Sequence, residues 1–242
     1  MYPELCSYLQ YSPTQLPTDQ LISIEQFLPT DASFLSLHFV DLFLKSGGNA
    51  VVLCARHSAS HYKTVAAKSA LPQIRAEQGV KFVNFGQFLA RNSGVVDLAD
   101  LFDQLQEECS QFVNEDNKPL LILVDCLNRF LYSGASLNDV LIFVNKCYQL
   151  ASGKNGAVCL LSLRGESDEE ARLLIDQTAH ISGLRLIVRP IGSGFSKDIS
   201  GEMEIHQRCN RIVPEVGRLH FRLTERSVKF FAPGSAPIFH FI

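Results

Sequence analysis

No stretch of this 242-residue sequence approaches the roughly 18 consecutive apolar residues that a bilayer-spanning helix requires. The opening MYPELCSYLQYSPTQLPTDQ also lacks a basic segment followed by an apolar one. Neither membrane insertion nor secretion is expected. Cys-x-x-Cys is absent and the seven cysteines are an odd number, while Cys54, Cys126 and Cys159 sit inside apolar runs, where a thiol acts as a small buried hydrophobe. That usage suits a reducing compartment. Internal repeats, low-complexity tracts and interdomain linkers are missing too, so one compact domain is expected over 21–242, preceded by an irregular lead-in over 1–20 that carries Pro3, Pro13 and Pro17. A chain of this size buries roughly 70% of its unfolded surface and needs no metal or disulfide staple.

Excess charge is scarce as well. The net charge is −3, so the molecule as a whole does not attract polyanions. Its distribution is uneven: residues 185–242 hold nine Lys and Arg against five Asp and Glu, and residues 1–184 hold thirteen against twenty. A solvated strand surface accounts for this basic C-terminal region, and a face that meets phosphates is the functional alternative.

What is present is a rhythm of apolar runs and amphipathic segments. Strands are expected at 21–24, 50–55, 80–85, 120–124 and 157–163, the last four including AVVLCA, LLILV and AVCLLSL. Helices are expected at 33–45, closed by Gly47-Gly48, at 61–71 and at 97–113, and another follows from the stripe Leu137, Val140, Leu141, Val144, Tyr148 and Ala151. A further helix starts at SDEEARLLID, with Ser167 as its cap and acidic residues in its first turn. Apolar strands alternating with helices predict a parallel sheet covered on both faces. The last sixty residues offer only short strands, at 184–188, 203–206, 219–223 and 228–231, with turns at 192–194, 200–201 and 224–226. The expected fold class is therefore α/β, a mixed, mostly parallel sheet flanked by helices and extended by C-terminal antiparallel strands.

This order of elements is the skeleton of a P-loop nucleotide-binding domain, yet the phosphate loop is missing. G-x-x-x-x-G-K-[ST] uses glycines to wrap backbone N–H groups round phosphates, a lysine to reach them and a hydroxyl to hold magnesium. In FLPTDASF, Phe27 and Ala32 occupy the glycine slots, Ser33 the lysine slot and Phe34 the hydroxyl slot. LLILVD ends at Asp125 in the manner of a Walker B strand, although an aspartate there also commonly caps a loop. His57 and His61 have metal-ligand spacing but no third ligand nearby, and local hydrogen bonding is the preferred reading. Neither a G-x-S-x-G elbow nor a cysteine with a placed histidine is found, and GSGFS at 192–196 reads as a connection. No catalytic residue, metal site or cofactor is assigned.

Two segments point to protein contacts. FLSLHFVDLFLKS is apolar almost all round, which requires burial on more than one side, by neighbouring helices or by a partner subunit. Phe39 and Phe43 are the candidates for a subunit interface, with complete burial in the core as the other possibility. The terminal PIFHFI places apolar residues where a chain ordinarily frays.

The segments SFLSLHFVDLFLKSGG with AVVLCA, SHYKTVAAK, LLILVDCLNRFL, GFSKDISGEMEI and RSVKFFAPGSAP, in this order, resemble the family of the sixth Elongator subunit. The resemblance runs from about residue 21 to 237. It implies a RecA-like fold without a working Walker A motif. It also implies assembly with Elongator subunits four and five into a six-membered ring, attachment to the catalytic Elongator core, and binding of tRNA by that ring in support of wobble-uridine modification. The chemistry would belong to another subunit, and the location implied is the cytoplasm, with the nucleus left open. In RecA-like rings the loops after the two central strands face the pore, which here means 128–136 and 164–167. Arg129 and Arg164 are accordingly the RNA-binding candidates there, and Lys197 in GFSKD is a third, against surface salt bridges as the alternative. The resemblance does not extend to the residues before 20 or after Pro237. Two competing functions remain open, a divergent ATPase that uses Asp125 in a composite site and a free-standing adaptor with other partners.

Overall fold

Runs such as VVLC, LLILV and VCLL leave both faces of a strand apolar, and such strands are stable only between two layers of helix. The computed structural model places them so; it describes residues 2–69, 71–91, 94–112, 118–165, 168–192, 198–208 and 215–234. In chain order the elements are α1 (Pro3–Leu9), β1 (Gln20–Phe27), α2 (Ser33–Lys45), β2 (Asn49–Cys54), α3 (Ala59–Lys68), α4 (Pro72–Arg75) and β3 (Val80–Asn84). There follow α5 (Phe85–Arg91), α6 (Leu98–Ser110), β4 (Leu120–Val124), α7 (Asn128–Tyr132), α8 (Leu137–Ser152) and β5 (Ala157–Arg164). The chain continues with α9 (Glu169–Ile181), β6 (Leu184–Arg189), β7 (Gly201–Gln207), β8 (Glu215–Leu223) and β9 (Val228–Phe231).

Among the described residues the strands form one sheet in the order β3-β2-β4-β5-β1-β6-β7-β8-β9. Pairing is parallel from β3 through β6 and antiparallel from β6 through β9. This is the mixed sheet expected. One core joins α1, α2, α3 and α4 to Ile22, Val52, Leu123 and Cys159 of the parallel strands and to Leu186, Ile205 and Phe221 of the antiparallel ones. The other places Val51, Leu53, Ile122, Val124 and Leu160 against α5 to α9.

Three local expectations are corrected. The lead-in carries α1, because Pro3 suits a first helical turn and Leu5, Cys6 and Leu9 then share one buried face. Gly217 in β8 makes room for it, since a Cβ there would lie 1.7 Å from the Tyr8 hydroxyl. The α9 cap is Asp168, which accepts from the Ala171 N–H at 2.9 Å; Ser167 and the PIFHFI tail lie outside the described residues. Finally, α2 is buried from Phe34 to Leu44, with Phe39 and Phe43 at 0% exposure. Its far side is covered by α4, by α1, whose Cys6 thiol lies 3.9 Å from His38 Nε2, and by the ring cluster of Tyr2, Phe34, Phe221 and Phe230. Phe39 and Phe43 are core residues, not an exposed subunit interface.

Candidate functional site

Ligands of open α/β sheets bind beyond the carboxyl ends of the parallel strands. Here that rim is built from the residues after β1, β2, β4 and β5. After β1 the chain turns through a cis Leu28–Pro29 bond, and Thr30 closes the turn by donating to the carbonyls of Phe27 and Val188. The N-terminus of α2 would ordinarily be the anion site, because its first N–H groups have no intrahelical acceptor. Two of its donors are engaged by side chains of the chain itself. Gln26 Oε1 accepts from the Ala32 N–H at 3.1 Å, and Asp31 accepts from the Ser33 N–H at 3.0 Å and the Ser33 hydroxyl at 2.9 Å. A carboxylate thus occupies the position that the phosphate loop would give to phosphate.

Asp125, one residue beyond β4, has an equally internal task. Its Oδ1 accepts from the N–H groups of Ala55 at 2.6 Å and Arg56 at 2.8 Å. Its Oδ2 accepts from the His57 N–H at 2.9 Å and the Tyr62 hydroxyl at 3.3 Å. A carboxylate offers about four acceptor positions, so this side chain is filled. Burial raises its pKa and the three backbone donors act in the opposite direction. Asp125 therefore pins the turn between β2 and α3. The Tyr62 hydroxyl is held well above its usual range by burial and by that carboxylate.

His57 and His61 stack with ring centroids 4.2 Å apart and planes 13° apart, a face-to-face arrangement and not two nitrogens converging on an ion. Burial and the neighbouring His61 hold His57 below the usual imidazole range. No group of three or more metal-ligating side chains occurs among the described residues.

The cations expected at this rim have different environments. Arg164 at the end of β5 donates to Glu25 at 2.8 Å, pairs with Asp176 at 2.9 Å and lies over the Phe27 ring. Burial acts to lower its pKa, but Glu25 and Asp176 prevail and hold the guanidinium above its ordinary value. Glu25 is 1% exposed and also pairs with Arg185, so Arg164 completes a buried charge cluster. Arg129 is exposed on α7, with no salt bridge among the described residues. Asn128 beside it is buried, its Nδ2 donating to the Leu163 carbonyl at 3.0 Å and its Oδ1 accepting from the Leu163 N–H at 2.8 Å, which anchors α7 to β5. Lys197 lies outside the described residues.

Sequence reasoning passed over Arg56 and Tyr132. Arg56 follows β2, is exposed, and donates at 3.3 Å to Gln26 Oε1. Burial raises the pKa of the Cys126 thiol, and the Arg129 backbone N–H and the charges of Arg56 and Arg129 act in the opposite direction. Tyr132, 58% exposed, stands at the end of α7. The signal available for Arg56 was its place just past a parallel strand, the same signal that marked Arg129.

The Elongation complex protein 6 family model matches residues 2–88 and 73–220. Elongator complex protein 6 of Homo sapiens is 27% identical over 272 residues, covering 98% of this chain and 99% of that protein. The proteins of the same name from Rattus norvegicus and Danio rerio are each 26% identical and cover 97% and 98% of this chain, and in both cases 98% of the relative is spanned. Among solved structures, a KaiC-like protein of Pyrococcus horikoshii superposes with a TM-score of 0.64 over 89% of this chain and 91% of its own, at 9% identity, a likeness of fold alone. The frame is RecA-like, and with a family match spanning most of its length the chain belongs to the Elongation complex protein 6 family.

Proposed function

We propose that this chain is a non-catalytic, structural and RNA-handling subunit of Elongator, assembling with subunits four and five into a heterohexameric ring that serves wobble-uridine modification of tRNA. The observation that carries the reading is the family match over residues 2–88 and 73–220. Asp31 gives it physical support: with a carboxylate already on the Ser33 N–H at the start of α2, a triphosphate would meet like charge where it needs donors. The alternative, a divergent ATPase using Asp125, is disfavoured by the four donors that fill that carboxylate.

RNA contact in this reading falls to the exposed rim, with Arg129 and Arg56 as phosphate contacts and Tyr132 as a stacking platform. Arg164 has a positioning role, holding β5 and α9 through Glu25 and Asp176. Lys197 stays with the RNA candidates on sequence grounds. The cytoplasm, with the nucleus as a second location, is the compartment proposed.

The decisive experiment is co-expression with Elongator subunits four and five, followed by light scattering after size exclusion. A stoichiometric six-chain assembly is the expected result. A monomer indifferent to both partners overturns the scaffold reading, and a magnesium-dependent, stoichiometric nucleotide affinity of the purified chain would favour the ATPase instead. Within the assembly, Arg129→Ala is expected to weaken tRNA binding similarly for all tRNAs and to lower the salt slope by about one.

A further inference from the structure

At the opposite end of the strands from this rim, at the start of β6 and the end of β7, lies a cavity of about 330 Å³. Its walls include Asp176 and His180 of α9, Arg185 of β6, His206 of β7 and Arg208. The register brings the basic groups to one side. Arg185 and His206 are direct cross-strand partners, and Arg208, two residues further on, donates its backbone N–H to Gly183 at 2.9 Å, which keeps it on the same face.

The charges in this cavity do not cancel. Arg185 uses Nε on Glu25, and its two terminal nitrogens have no partner among the described residues. Arg208 is exposed and its guanidinium has no ion pair among the described residues. His180 is exposed on the last turn of α9, and His206 has one ring nitrogen on Glu204, 2.6 Å away. Asp176 is the acidic wall, but it is paired with Arg164. Two of the C-terminal carbonyls of α9 are engaged within the chain, Thr178 O taking the Ser182 hydroxyl at 2.7 Å and Ala179 O the Ser182 N–H at 3.2 Å. What remains open is donors: two planar guanidinium groups in one concave site, the arrangement that holds phosphate oxygens in preference to a point cation.

We propose that this cavity is a phosphate-binding site that takes a backbone phosphodiester of RNA, a second contact at the opposite end of the strands from the Arg129 rim. The site rests on the RNA-handling reading for its source of phosphate but not for its chemistry, which two arginines and two histidines supply. A chain that touches RNA at both ends of its strands grips the nucleic acid at two separated phosphates, fixing its path without reading its bases.

The test follows the imidazole signals of the full chain by NMR, assigned with His180→Gln and His206→Gln, while inorganic phosphate is added. Saturable shifts at His180 and His206, without shifts at His57 and His61, are expected. Arg208→Ala, an exposed side chain whose removal leaves no buried charge, should weaken that binding about tenfold. A site without shifts, or one indifferent to Arg208→Ala, overturns the proposal. In the second arm unmodified tRNA is titrated into the full chain assembled with subunits four and five. Arg208→Ala should reduce affinity several-fold and lower the salt slope by about one, while the assembly stays intact. Phosphate binding with unaltered tRNA affinity overturns the phosphodiester assignment and leaves a site for a free anion. Failure of the RNA-handling reading looks different, because the wild-type assembly would then bind no tRNA at all.

Discussion

The two halves of the sheet solve different problems. From β3 to β1 both faces are covered by helices, and β2, β4 and β5 are buried over nearly every residue. From β6 to β9 only the face toward α1 and α2 is enclosed, and the other carries Arg185, Arg189, Glu202, Glu204, Arg218 and His220 in cross-strand rows. There Arg189 pairs with Glu202 and Glu204, and Arg218 with Glu204 at 3.6 Å. The first half is built for cohesion and the second for a solvated or ligand-facing surface. The basic C-terminal composition is thus partly internal pairing on a strand surface, and among the described residues Arg208 and Arg226 are exposed arginines outside it.

The largest effect that would sharpen this contrast is in the enclosed half. Phe43→Ala removes a 0%-exposed ring from α2, where the two sides of the helix leave no room for relaxation. A loss of about 3–5 kcal/mol in urea unfolding is expected. A loss below about 1 kcal/mol would mean that α2 is less enclosed than its packing indicates.

Next comes a buried titratable group in the same layer. His38, 1% exposed, stacks on Tyr2 with centroids 5.3 Å apart, and its Nδ1 accepts the Tyr2 N–H at 3.0 Å. Burial, chiefly, with nearby positive charge, pushes its pKa down to about 3 from 6.5. Between those two values the unfolded chain binds the proton and the folded chain does not. Stability from this residue is therefore complete above about pH 6.5 and declines as the pH falls toward 3, by up to about 1.4 kcal/mol per pH unit. His38→Gln, which keeps an acceptor for Tyr2 but cannot titrate, should flatten that slope in denaturation curves taken across the window. An unchanged slope would assign acid sensitivity to other groups.

Asp125→Ala should have a smaller effect, about 1–3 kcal/mol, because it strips acceptors from the N–H groups of Ala55, Arg56 and His57 at an edge that water can reach. Hydrogen exchange at those three amides is the direct measurement. Faster exchange there, with β4 still protected, is the expected result; unchanged exchange would mean the turn holds without the carboxylate.

Much of this architecture was legible because burial on two faces writes itself as unbroken apolar runs. LLILV and AVCLLSL give β4 and β5 to within a residue, and the stripe from Leu137 to Ala151 gives α8. The short helices α4, α5 and α7 were not legible, since four to seven residues hold too little of the 3.6-residue period. Polar partners were less legible still. Nothing in the spacing of Glu25, Arg164, Asp176 and Arg185 announces one charge cluster, because it arises from sheet order, with β1 inserted between β5 and β6. Likewise the apolar surround of Phe39 and Phe43 does not reveal that α1, whose segment is rich in polar residues and proline, folds back to help bury their helix.

The smallest effect is the one that would break the contrast. Val216 is 60% exposed on β8 opposite His206, on the charged face, so Val216→Ala gives up little buried surface in the isolated chain. A change within about 0.5 kcal/mol in urea is expected, against several for Phe43→Ala. If the same substitution is repeated in the assembly with subunits four and five and the complex then weakens, the open face is covered by a partner. If both values stay near zero while Arg208→Ala lowers tRNA affinity, the face remains open in the assembly. In that case the antiparallel extension serves to display charge, and cohesion is left to the doubly covered strands.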